Sequence, residues 1–238
     1  MVLTEEAAFN PVTAYGTTKV LVEADLADLA DETFSPTYLR NATAYGLSPS
    51  LRADIVVNNL VGVAFTTGEI VMQSDGTPWR PLVHVQDISR AFLAVLEAPR
   101  DAIHNEAFNV GSTAENYQIR DVAEIVRDVV PGSSIRYLEG AGPDPRCYRV
   151  DCGKFSRHVP GFVTEWNVRR GAVELYDSFV RHGLTREMFS TFVRLNRIRT
   201  LMAEGRLDGS LYWQTPEAVV VQGSSVRSGS DATMRELS

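Results

Sequence analysis

The sequence predicts an α/β fold with a mainly parallel sheet, and three observations carry that expectation. Short runs rich in β-formers recur along the chain, stretches with helical apolar spacing alternate with them, and Gly, Pro and Asp mark the joins.

The first ten residues, MVLTEEAAFN, read as a loop. From Gly16 to about Ala30 the spacing is helical, with Val20, Leu21, Ala24, Ala27 and Leu29 as its apolar face. Pro36 precedes a strand-like TYLR. Asp54 to Phe65 suits a buried helix and Glu69 to Gln73 a short strand, followed by the turn Asp75-Gly76-Thr77-Pro78. Pro81 to Val85 reads as a strand, and Asp87 as the N-cap of a helix to Glu97 that turns Ile88, Ala91, Phe92 and Val95 to the core. Ala107 to Val110 is a strand ending at Gly111. Ile119 to Val130 is a helix stopped by Pro131-Gly132, and Ser134 to Leu138 a strand. Two more helices are expected at about 168–182 and 185–204, split by Gly183; Met188, Phe189, Phe192, Leu195, Ile198, Leu201 and Met202 give the second a packing surface. From Gln214 on, Ser, Gly and other small residues with weak periodicity read as a disordered tail.

Composition narrows the function classes. The chain of 238 residues carries a formal net charge of −7, so no global field attracts nucleic acid. No apolar run reaches the roughly 18 residues that span a bilayer, and the acidic start lacks a signal-peptide pattern, so a cytoplasmic protein is expected. Cys147 and Cys152 form neither a C-x-x-C pair nor a histidine cluster, which argues against a disulfide framework and a zinc site. Of 23 basic residues only Lys19 and Lys154 are lysines. A lysine is therefore informative here, because arginine replaces it easily except where a compact ammonium is needed.

Lys19 stands four residues after Tyr15, one helical turn, so both side chains fall on one face. A phenol with a pKa of about 10 is a poor base at neutral pH, and an adjacent ammonium favours its phenolate. Such a tyrosine can take a proton from a sugar hydroxyl.

Five segments in order carry a resemblance. NPVTAYGTTKVLVE (10–23) resembles the catalytic segment of the extended short-chain dehydrogenase/reductases, the NAD-dependent epimerases and dehydratases of nucleotide sugars. TYLRNATAYGLSP (37–49) resembles the family's strand and loop L-R-x-x-N-x-Y-G-P, and GTPWRPLVHVQDISRA (76–91) its R-x-x-x-H-V-x-D block. AFNVG (107–111) and GPDPRCYRVDCGK (142–154) resemble two later segments.

The resemblance implies a partial Rossmann-like parallel sheet with helices plus a smaller α/β substrate lobe over residues 1–213. Tyr15 would be the general base, and Lys19 would bind the nicotinamide ribose. Asn41 and Ala42 would face NAD, with Thr43 standing where relatives carry a substrate-contacting asparagine. Arg80 would clamp the nucleotide diphosphate and Arg146 would add a second contact. Asn58 and Asn59 are either substrate contacts or structurally satisfied polar groups of a buried helix. His84 reads as a packed core histidine. The expected reaction is epimerisation or dehydration through a transient keto-sugar, with a homodimer formed through the Tyr15–Lys19 helix. The family's glycine-rich turn is not in the sequence. The chain is thus expected to be the carboxy-terminal two-thirds of such an enzyme, active with its missing part, or else an inactive remnant or a sugar-nucleotide-binding module needing another chain.

Overall fold

The structure, a computed structural model, describes residues 2–140, 142 and 147–214. Arg146 and the tail beyond Gln214 lie outside the described residues, and with them the expectations placed there. The chain divides into two compact units, Met1–Phe192 and Val193–Ser238.

Among the described residues of the first unit four of the five strand pairings are parallel, as expected. β1 (Val2–Leu3) pairs with β9 (Arg149–Val150), and β2 (Thr37–Asn41) with β6 (Glu106–Val110). β3 (Thr43–Tyr45) pairs with β5 (Trp79–His84), and β4 (Glu69–Met72) with β8 (Ser134–Tyr137). β7 (Asn116–Gln118) runs antiparallel to β5. The helices are α1 (Ala14–Ala27), α2 (Val56–Thr67), α3 (Val85–Glu97), α4 (Arg100–Ile103), α5 (Ile119–Val129), α6 (Gly153–His158), α7 (Val168–His182) and α8 (Arg186–Thr191).

Two cores result. Around β6, Phe108 and Val110 pack with Ala91 and Val95 of α3 and with Phe155, Val159 and Phe162. The other forms where α2, α5 and α7 pack on one another. Val57, Val61, Val122, Val126, Ala172 and Leu175 are all fully buried there, the valines and the leucine each contributing about 1.5–3 kcal/mol. α7 starts on Asn167, whose side chain accepts from the Arg170 N–H, and stops at Gly183 in the left-handed region at φ 59°.

Several expectations are corrected. The opening residues are not all loop, because Val2–Leu3 finds a strand partner some 147 residues away that no local pattern announces. Asp87 lies inside the first turn of α3; the N-cap is His84, whose ring accepts from the Gln86 N–H. Phe92 is half exposed at 51% and not in the core. No residue of α1 is fully buried: on its apolar face Val20 and Ala27 are half-buried, Leu21 and Ala24 exposed. The single helix over 185–204 is two: backbone at Val193 turns extended and separates α8 from α9 (Arg194–Ala203).

The second unit, as far as it is described, holds α9 and a bridge between Leu207 and Trp213. There Arg206 lies 5.7 Å from the Trp213 ring centroid.

Candidate active site

Thr13 sets the geometry of α1. Its hydroxyl accepts from the Gly16 N–H at 3.0 Å, starting the helix immediately ahead of Tyr15. One turn on, the Lys19 ammonium lies 5.2 Å from the Tyr15 ring centroid. Tyr15 is 73% exposed, so the pair stands on an open face. Glu23 of the same helix grips the Arg40 guanidinium with both carboxylate oxygens. Arg40 also donates to the Glu5 carbonyl at 2.8 Å, and the Glu5 side chain accepts from the Asn109 N–H at 2.8 Å. α1, the first residues and the β2–β6 pair are tied into one frame by these bonds.

Asn41, Ala42 and Thr43 follow one another from the end of β2 to the start of β3. Asn41 is exposed, the Ala42 N–H donates to the Val110 carbonyl at 2.9 Å, and Thr43 stands opposite Leu82. A side chain at Gly111 would meet the Ala42 methyl at 3.3 Å, so the two chain segments run close there. Arg80 donates to the Trp79 carbonyl at 2.8 Å and lies 5.9 Å from the Tyr148 ring centroid. Arg149 in turn lies 4.9 Å from the Trp79 ring centroid, so two arginines and two aromatic rings interleave between β5 and β9.

Asn58 and Asn59 are tied to backbone. Asn58, 1% exposed, accepts from the Gly46 N–H at 2.9 Å and donates to the carbonyls of Gly46 and Arg52. Asn59 donates to the Ala53 carbonyl at 2.9 Å. Through these bonds the two amides clamp the loop 46–53. At its far end Arg52 forms a two-pronged bond with Asp54.

Beneath this loop lies a polar core that the sequence reading missed, apart from His84. His84 has no exposed surface and stacks on Trp166 with ring centroids 3.8 Å apart. Its Nδ1 accepts from the Gln86 N–H, so Nε2 carries the proton and donates to Glu174 at 2.9 Å. Burial holds the His84 pKa below its ordinary value, the Glu174 bond opposing that shift. Tyr45 packs edge-on against His84, its buried hydroxyl without a partner among the described residues, and burial pushes its pKa up. Burial likewise raises the Glu115 pKa, against the bonds it receives from the Val168 N–H and the Tyr117 hydroxyl. One signal pointed here: Gly171 inside α7, where a Cβ would fall 2.4 Å from the Tyr45 ring.

An open groove of about 400 Å³ between α3 and residues 159–162 has none of the candidate residues in its lining. Among the described residues no group of His, Cys, Asp and Glu could hold a metal, and no helix is long and apolar enough to cross a membrane.

Residues 2–111 match the model of the NAD dependent epimerase/dehydratase family. A UDP-glucose 4-epimerase of Bacillus subtilis is 26% identical in an alignment of 193 residues that covers 73% of this chain and 55% of that enzyme. Two solved structures share the fold, each with a TM-score of 0.66. One is a UDP-glucuronic acid 4-epimerase from Bacillus cereus, 22% identical over 76% of this chain and 57% of its own. The other is a dTDP-glucose 4,6-dehydratase from Streptomyces venezuelae, 18% identical over 79% of this chain and 57% of its own. The resemblance read from the five segments, and the Rossmann-like character of the sheet, are borne out by these matches. The chain spans little more than half the length of these relatives.

Proposed function

We propose that this chain carries the proton-transfer pair and the sugar-nucleotide lobe of an NAD-dependent nucleotide-sugar epimerase or dehydratase. The observation that carries the reading is the Tyr15–Lys19 pair, exposed on one face of a capped helix with the ammonium 5.2 Å from the ring centroid. Support comes from the family match over residues 2–111, which includes both residues.

The residues present fit one end of the cofactor. Tyr15 and Lys19 have the chemistry to hold a nicotinamide ribose, with Asn41 and Ala42 beside the strand end. The pyrophosphate end finds no glycine-rich turn in the sequence. Bound NAD supplies the hydride acceptor for the sugar carbon. Tyr15 takes the sugar hydroxyl proton and later returns it, with the Lys19 ammonium one helical turn away on the same face. Thr43 offers the sugar a hydroxyl, and the guanidinium of Arg80 suits a diphosphate. In this reading residues 1–213 act as one functional domain in the cytoplasm, as a homodimer through α1.

A second reading, a sugar-nucleotide-binding module completed by another chain, is favoured by two observations. No residue of α1 is buried, and β2 pairs on one side only among the described residues. Calorimetric titration separates the two, using NAD and, in parallel, UDP-glucose, dTDP-glucose and GDP-mannose. Binding of both ligand classes, with turnover lost in Tyr15→Phe, supports the enzyme. Sugar-nucleotide binding without NAD binding supports the module, and binding of neither sinks both.

A further inference from the structure

The loop 46–53 is fastened from both ends. From α2, Asn58 holds Gly46 and Arg52, and Asn59 holds Ala53. From α7, a single oxygen of Glu174 accepts two bonds, one from the Leu47 N–H at 3.1 Å and one from the His84 ring at 2.9 Å. Among the described residues the hydrogen bonds of Glu174 join this loop to β5, the strand that carries Arg80. The ring it holds has nowhere else to go: Trp166 covers one face, Gln86 occupies Nδ1, and a Cβ at Gly46 would fall 2.2 Å from Nε2. Gly46 itself has φ +107°, a conformation that L side chains rarely adopt, so the loop turns there against the imidazole.

We infer that Glu174 is a positioning residue: by accepting from the Leu47 N–H and the His84 ring on one oxygen it fixes the loop 46–53 against β5 and so holds the strand from which Arg80 meets the nucleotide diphosphate. The inference rests on the reading of Arg80 proposed above. Glu174 touches neither Tyr15 nor Lys19 and acts only through the loop. Its carboxylate is 21% exposed, which leaves room for substitution without a buried void.

The test has a ligand arm and a spectroscopic arm. In the unaltered chain the Leu47 amide is expected to be protected from exchange, and ¹⁵N spectra to show the His84 proton on Nε2 alone. A rapidly exchanging Leu47 amide or a proton on Nδ1 overturns the inference without any variant. Glu174→Ala is expected to release that amide, to shift the His84 Nε2 resonance as its acceptor is lost, and to weaken UDP-glucose binding about tenfold, the loss of a charge-assisted bond. Glu174→Gln, whose carbonyl oxygen accepts the same two protons, is expected to restore all three. A freed Leu47 amide with unchanged affinity sinks the inference and leaves the proposed function standing. If the unaltered chain binds none of the three sugar nucleotides named above, the proposed function falls, and the inference with it, while Leu47 exchange still reports whether the clasp exists.

Discussion

His84 and Trp166 lie face to face, ring centroids 3.8 Å apart and planes 8° from parallel. The stack is set by backbone. Asp87, 1% exposed, accepts from the N–H groups of both Glu165 and Trp166 and also receives Arg90. The strand end that carries His84 and the segment that enters α7 are thereby locked together, three residues after the imidazole.

Removing that lock is expensive. Asp87→Ala leaves two N–H donors and an arginine without their buried acceptor, and is expected to cost about 3–5 kcal/mol in urea unfolding. Asp87→Asn keeps one acceptor oxygen and is expected to cost less.

Acid is expected to loosen the same region. The folded His84 pKa is depressed, chiefly by burial, so below about pH 6.5 the unfolded chain binds the proton that the folded chain resists. Stability therefore falls as pH drops through that window, and a pH series of urea midpoints is expected to show a smaller fall in His84→Gln. Glu115 acts with the opposite sign. Its folded pKa is raised by burial, so its contribution is lost as pH rises, and Glu115→Gln is expected to steepen the acid-side fall.

Gly62→Ala is expected to overpack the α2–α8 contact. The added Cβ would fall 2.1 Å from the Phe189 ring, a clash costing about 1–3 kcal/mol. Phe189→Leu in the same chain is expected to recover part of that loss, measured as the non-additivity of the two urea midpoints.

Tyr15→Phe is expected to leave stability within about 0.5 kcal/mol, because the side chain is exposed. Sugar-nucleotide turnover, by contrast, is expected to drop about 10²–10⁴-fold, the usual contribution of a positioned proton-transfer group. A matched drop in both quantities would remove Tyr15 from the chemistry.

The two cysteines are expected to separate cleanly in a thiol titration. Cys147 is exposed, while Cys152 is buried with its thiol pushed up to about 12, first by burial and then by Glu5 and Asp151. One thiol per native chain is expected to react at pH 8, and a second only after unfolding.

Much of the frame was legible in the residues because periodicity encodes burial. α2, α5 and α7 and the strands β2, β4, β5 and β6 emerge where expected, each with enough residues to show a period. β1, β7 and β9 are two or three residues long and exist only by pairing with distant partners. The α8–α9 break is marked by no glycine or proline, since Phe192 and Val193 suit a helix interior as readily as its end. At the site, the Tyr15–Lys19 approach follows from spacing alone. The roles of Asn58 and Glu174 do not, because an amide on a buried helix and a carboxylate on a half-exposed one look alike whether or not a loop backbone lies opposite.

The chain's two lysines differ sharply in freedom. Lys154 is bound to Glu106 at 2.7 Å, lies over the Phe108 ring and is 16% exposed, whereas Lys19 is exposed on α1. Amine-directed reagents and lysine-specific proteases thus meet one open side chain in the folded body, and it sits beside Tyr15. A fluorophore, a surface tether or a native-state cut aimed at lysine would land on the candidate site by default. A ligand covering that face would announce itself by shielding a single residue.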